Sequence, residues 1–168
     1  CIRDRGLERA KDLGLNTRAC PRQDYPNRAT HEQAIVEALK TQRIDLVLLA
    51  GFMRVLSESF VTTFKDRILN IHPSLLPRHQ GLHTHAKVLA EGDQFHGASV
   101  HVVTAQLDQG PLLMQGRLKV HANDTETSLQ QRVHKIEHII YPAVVEKWVK
   151  GELVVNEGIA TLAGQSLP

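Results

Sequence analysis

At 168 residues and 42% hydrophobic content the chain is sized for one domain with a sizeable core, and 4% aromatic content makes that core mostly aliphatic. With 20 basic and 18 acidic residues interspersed along the chain, a net charge of +2 argues against a nucleic-acid-binding surface or a charged tail. No apolar run approaches the ~18 residues of a membrane span, so neither nucleic acid nor membrane is an expected partner.

The opening CIRDRGLERAKDLGL is charged and helical in period, unlike a secretory signal, with Leu7, Ala10 and Leu13 near helical spacing and Gly14 as the stop. It does not begin with Met and reads as a helix already under way, which predicts further residues upstream. Cys1 and Cys20 lie outside any CxxC spacing and read as reduced thiols of a cytoplasmic protein. Residues 17–20 suit a short strand and 21–27 a loop. Residues 28–43 are amphipathic, with Ala34, Ile35, Ala38 and Leu39 on one face. The apolar run 44–50 (IDLVLLA) suits a strand buried on both faces of a parallel sheet.

Residues 57–64 read as a short helix capped by Ser57, and 67–72 (RILNIH) as a second interior strand ended by Pro73. The prolines and glycine of 73–81 mark a loop. A helix over 84–91 stops at Gly92. Residues 98–104 alternate in period two, with Ser99, His101 and Val103 opposite Val100 and Val102. After the turn QLDQGP comes a strand over 112–120, then a long helix over 124–150, opened by Asn123 or Asp124 and closed by Gly151. Glu126 near its first turn favours the helix dipole. The tail from Leu153 reads as a short strand or turn packed back on the domain.

Strands alternating with helices imply an α/β open sheet, mainly parallel. The strands 98–104 and 112–120 are too close for a crossover and form an antiparallel hairpin. Ligands of such sheets bind outside the carboxyl ends of the strands, which directs attention to the segments after Ala50 and Leu69.

Asn70 and His72, two apart on a strand, project from one face, and Pro73 holds His72 extended. An amide beside an imidazole suits an oxyanion clamp for acyl transfer. Asp108, in LDQGP, either satisfies its own turn or faces His72 to tune its charge and relay a proton. Of the ten histidines, His83 and His85 have a possible metal-ligand spacing. However, HExxH is absent and His31-Glu32 has no partner histidine, so no metal is expected. Without a GxSxG elbow or a Walker loop, direct transfer between two bound substrates remains.

These residues spell a pattern. Leu49-Ala50-Gly51-Phe52-Met53-Arg54, then Leu69-Asn70-Ile71-His72-Pro73-Ser74-Leu75-Leu76-Pro77 and Gly81-Leu82-His83-Thr84-His85 resemble the glycinamide ribonucleotide formyltransferases. Gly97-Ala98-Ser99-Val100-His101, Leu107-Asp108-Gln109-Gly110-Pro111 and Glu137-His138-Ile139-Ile140-Tyr141-Pro142 continue the likeness in the same order, so that it covers nearly the whole chain. Methionyl-tRNA formyltransferase and formyltetrahydrofolate hydrolase share the Asn-x-His and the later Asp but differ after the Leu-Pro of the loop, where this chain reads GLHTH.

The resemblance implies a single formyltransferase domain over 1–168 with an open, Rossmann-like sheet. It implies amine attack on the formyl carbon of 10-formyltetrahydrofolate, with glycinamide ribonucleotide as the other small-molecule substrate, in a monomer or homodimer. Asn70 and His72 would stabilise the oxyanion. His72 would be the general acid, and Asp108 would help move the amine proton, through water. Phe52, Met53, Arg54, Val55 and Leu56, with Thr104 to Asp108, would wall the pterin pocket next to Asn70. Arg28 and Arg54 would meet the folate, Arg54 at its glutamate carboxylate. Glu137 would contact the ribose hydroxyls and His72 the substrate. The family's opening strand, phosphate loop, helix and second strand are not in this sequence, so the N-terminal βαβ portion is expected to be missing. Two other readings stay open: a hydrolase of the same fold, and a non-catalytic folate-binding fragment.

Overall fold

The computed structural model describes residues 2–167, with side chains from residue 5 onward; Cys1 lies outside the described residues. Its contacts divide it into two compact units, Cys1–Ile44 and Asp45–Pro168.

In the first unit, α1 (Ile2–Asp12) is followed by residues without regular structure, a 3-10 turn (Arg22–Asp24) and α2 (Arg28–Thr41). The strand expected over 17–20 does not form. Among the described residues that stretch pairs with no strand; instead the Cys20 carbonyl meets His31 Nε2 at 2.8 Å. A lone extended segment has no ladder to satisfy its backbone. Asn27 caps α2 through a reciprocal box with Thr30, which satisfies two of the orphan donors at the helix start.

In the second unit, β1 (Val47–Leu49), α3 (Glu58–Thr63), β2 (Ile68–His72), α4 (Thr84–Glu91), β3 (Phe95–Val102) and β4 (Leu112–Lys119) lead to the long α5 (Glu126–Val149). The sheet order is β1-β2-β3-β4. The α/β class and the β3–β4 hairpin are as expected, but the sheet is mixed: only β1 and β2 pair in parallel among the described residues. His72 lies opposite Ser99 and Leu69 opposite Val102, so β3 runs back along β2. The loop after β2 and α4 thus return the chain to the end of the sheet that β2 has just left. An intervening helix permits a parallel crossover without imposing one.

β1 is shorter than the apolar run that encodes it. Val47 is buried but Leu48 is exposed, so the strand is not covered on both faces. Ser57 caps α3 as expected. The cap of α5 is Thr125 rather than Asn123 or Asp124: its hydroxyl takes the Ser128 N–H at 3.2 Å and the Ser128 hydroxyl takes the Thr125 N–H at 2.9 Å. Asp124, one position earlier, accepts from Ser128 Oγ at 2.8 Å and pairs with Arg132.

The core is aliphatic. Leu69, Ala98, Val100, Val102 and Leu113 from the sheet pack against Val133, Ile140 and Val144 of α5. Leu153 and Ala160 join them from a second, three-stranded antiparallel sheet: β5 (Leu153–Asn156), β6 (Ile159–Leu162) and β7 (Gln165–Ser166). The tail is therefore a meander rather than a single strand. Among the described residues, no helix is long and apolar enough to cross a membrane.

Two histidines are enclosed beside this core. His85 Nδ1 meets His96 Nε2 at 2.9 Å, and His96 Nδ1 has no partner among the described residues. Burial, then the neighbouring His85, pushes His96 down from 6.5 to about 4; burial, then His134, lowers His85 as well. Between the two His96 values the unfolded chain binds the proton that the folded chain refuses. Stability is therefore complete above pH 6.5 and is lost as pH falls towards 4, by on the order of 3 kcal/mol for His96. Urea unfolding at pH 7.5, 6 and 5 should show a falling midpoint, and His96→Gln should flatten that dependence.

Candidate active site

The carboxyl end of β2 meets the turn between β3 and β4. Asn70 sits opposite His101 in the β2–β3 ladder, and its amide Nδ2 lies 3.1 Å from His101 Nε2. His101 Nδ1 lies 3.0 Å from the Val102 carbonyl. A carbonyl only accepts, so Nδ1 carries the hydrogen and the Nε2 lone pair accepts the Asn70 amide. Burial lowers His101, against the opposing influence of that carbonyl and of Asp108, which favours this neutral tautomer. One Asn70 N–H is thereby fixed.

Asp108 joins the group from the turn, where it adopts a left-handed φ of 53°. Its carboxylate accepts the Gly81 N–H at 2.9 Å, lies 3.5 Å from His72 Nδ1 and lies 3.7 Å from His101 Nε2. The carboxylate thus serves the loop after β2 as well as the two histidines. The other nitrogen of His72, Nε2, lies 3.0 Å from the His79 carbonyl. Asn70, His101, Asp108 and His72 therefore form one chain of contacts in which only Asp108 is formally charged when the rings are neutral.

Beside them opens a cleft lined by Leu49, Phe52, Arg54, Val55, Leu56, Asn70, His101, Val103, Thr104, Gln106, Leu107 and Asp108. Most residues named from the sequence for a pterin pocket thus surround one space. Met53 is 71% exposed and is not in this lining. His72 is buried against Asp108 and does not line the cleft either. Arg28 belongs to the first unit, where its Nε donates to Glu32 at 2.7 Å. Glu137 lies on α5, 4.0 Å from His134, and burial raises its carboxyl above the usual range.

The HxH pair is split. His83 is exposed at the head of α4 while His85 points inward to His96. The described side chains that could together ligate a metal are instead His79, Glu91 and Asp93, with Arg78 donating to both carboxylates. Sequence reading missed Leu49, Val103 and, above all, His101. The period-two alternation put His101 on a face with Ser99 and Val103, but only the strand register shows that it meets Asn70.

Tyr141 braces the strands that lead to the site. Its hydroxyl lies 3.0 Å from the carbonyls of both Leu49 and Leu69, tying α5 to the two parallel strands immediately before the cleft.

The sequence profile described as "Formyl transferase" matches residues 3–145. The phosphoribosylglycinamide formyltransferase of Escherichia coli (strain K12) is 44% identical over 163 residues, which are 97% of this chain and 77% of that protein. The trifunctional purine biosynthetic protein adenosine-3 of Drosophila melanogaster is 36% identical over 156 residues, 93% of this chain and 12% of that much longer one. Among solved structures, the phosphoribosylglycinamide formyltransferase of Coxiella burnetii superposes with a TM-score of 0.91 at 42% identity, covering 97% of this chain and 77% of that one.

Proposed function

Because the chain belongs to the formyl transferase family, we propose that it transfers the formyl group of 10-formyltetrahydrofolate to the primary amine of glycinamide ribonucleotide, a step of purine synthesis. The observation that carries this reading is the convergence of Asn70, His72, Asp108 and His101 beside one cleft, in a chain 44% identical to a relative of that name.

The chemistry asks little of the protein beyond placement and proton movement. Amine attack forms a C–N bond and moves negative charge onto the formyl oxygen. Collapse breaks the bond from the formyl carbon to the folate nitrogen, which takes up a proton. Asn70 supplies an amide hydrogen to the oxyanion, with its orientation set by His101. His72, whose Nε2–H is engaged by the His79 carbonyl, exchanges its mobile proton at Nδ1, the nitrogen nearest Asp108. It stabilises the oxyanion from there and then acts as the general acid. Asp108 stabilises the imidazolium and takes the amine proton through water.

In the same reading the folate ring occupies the cleft walled by Phe52, Val55, Leu56 and Thr104, with Met53 at its outer edge. Arg54 meets the folate at the glutamate tail, and Glu137 meets the ribose hydroxyls. No metal takes part. The chain works as one formyltransferase domain, a monomer or homodimer, in the cytoplasm.

Formyl transfer from a 10-formylfolate, followed by absorbance with and without glycinamide ribonucleotide, tests the proposal. Turnover that requires the ribonucleotide is the expected result. Turnover equally fast without it would make the chain a hydrolase. Folate binding without turnover would leave a binding protein.

A further inference from the structure

The loop that follows β2 carries a charged cluster apart from the cleft. His79 Nε2 lies 2.7 Å from Asp93 Oδ2, and His79 Nδ1 lies 3.7 Å from Glu91 Oε1. Arg78 donates to Asp93 Oδ1 at 2.7 Å and to Glu91 Oε2 at 3.2 Å. The His79 and Asp93 side chains are only 6% and 17% exposed, whereas Glu91 is 54% and Arg78 60% exposed. The composition suggests a cation site, but the geometry does not. The Asp93 carboxylate is already engaged on both oxygens, and Arg78 supplies the charge that a metal would bring.

What the cluster does fix is a backbone conformation. His79 has a φ of 54°, in the left-handed region that a non-glycine residue keeps only where its surroundings determine it. In that conformation its carbonyl is 3.0 Å from His72 Nε2. The carbonyl and the Asp108 carboxylate both only accept, but the carbonyl is the one at hydrogen-bonding distance while Asp108 stands 3.5 Å from Nδ1, so the closer contact favours the His72 tautomer with hydrogen on Nε2 and leaves Nδ1 towards Asp108. Ser74 Oγ donates to the Arg78 carbonyl at 2.7 Å and fixes the peptide just before His79. The His79 ring, held by Asp93 just beyond the end of α4, fixes the residue from its side-chain end.

We propose that His79 and Asp93 are positioning residues for His72: the hydrogen bond between their side chains holds the left-handed turn whose carbonyl sets the tautomer and orientation of the His72 imidazole. The inference rests on the formyl-transfer reading for its effect on rate, but not for its effect on the ring. Two measurements therefore test it. The first is the 15N spectrum of the histidine rings in labelled protein, with His72 assigned by His72→Gln. The neutral His72 ring should show hydrogen on Nε2, and Asp93→Asn or His79→Gln should give a mixture of tautomers. The second is steady-state transfer. Asp93→Asn should lower kcat about tenfold, the low end of what partners orienting an imidazole contribute, with both KM values within about twofold of wild type. Asp93→Glu should recover part of the loss.

Wild-type protein with the His72 hydrogen on Nδ1 overturns the proposal even if the variants fail to fold. So does Asp93→Asn with an unchanged ring spectrum and unchanged kcat. An inactive wild type with the expected tautomer would instead refute the formyl-transfer reading and leave the positioning intact.

Discussion

Asn70→Ala is expected to lower kcat by at least a hundredfold, on the order of 3 kcal/mol of barrier, and His72→Ala to do the same. The Asn70 side chain spans the two duties that such a loss requires. One amide hydrogen is held by His101 Nε2, so the amide is oriented before substrate arrives. The other is left for the cleft that Asn70 lines, where the proposed mechanism places the charge developing on the formyl oxygen. A donor already oriented needs no reorganisation at the moment of reaction, which is why its removal costs more than one ordinary hydrogen bond. The same truncation leaves the buried His101 lone pair without its partner, a stability cost of about 1–3 kcal/mol. Kinetics therefore have to be measured on protein shown to be folded. If Asn70 acts only in the transition state, kcat and kcat/KM fall together. A raised KM with an unchanged kcat would place Asn70 in binding instead, and near-wild-type rates in either variant would remove the pair from the mechanism.

The sequence made some of this legible. Residues 67–72 read as a strand because an apolar run ends at a proline, and the two-residue spacing of Asn70 and His72 then fixes their common face. The 112–120 strand followed from the QLDQGP turn before it, and the helices from their spacing, caps or Gly stops. Other features had no local signal. The direction of β3 depends on where α4 deposits the chain, which no period encodes. The terminal meander turns on Glu157-Gly158 and Ala163-Gly164, both residues of each pair having positive φ. Such tight hairpin turns are usually announced by Asn-Gly or Asp-Gly, and a Glu or Ala in the first place hides them.

The site divides along the same line. Side-chain identities gave Asn70, His72 and Asp108 as candidates, and the family pattern supplied roles for them. What orients His72, Asp108 and the His101 ring that holds Asn70 is largely backbone: the His79 carbonyl, the Gly81 N–H and the Val102 carbonyl. Every residue offers such groups, so composition and spacing cannot single them out. His101 is the exception, a side chain that could have been found by aligning the two strands and asking which histidine falls opposite Asn70.

Gly110→Ala is the substitution expected to damage fold and activity together. A Cβ at Gly110 would lie 1.8 Å from the Val102 carbonyl oxygen and 3.1 Å from Thr104 Cγ2. The first of these is backbone at the end of β3, beside the Val102 N–H that donates to the Pro111 carbonyl at 2.9 Å. It cannot rotate aside as a side chain would, so the two chains must part where the hairpin begins. Overpacking of this kind costs about 1–3 kcal/mol. The displacement also falls on the turn that carries Asp108, two residues away. A shift of about 1 Å in a positioned group can cost ~10²-fold in rate. The variant should therefore show a lower urea midpoint and a kcat reduced about a hundredfold. Asp108→Asn separates the two consequences, because it removes the charge while leaving the turn residue almost the same size: its kcat should fall comparably with a much smaller change in midpoint. If Gly110→Ala unfolds at the wild-type midpoint, the β3–β4 junction yields without cost. The glycine of the LDQGP turn would then have no part in holding Asp108 against His72.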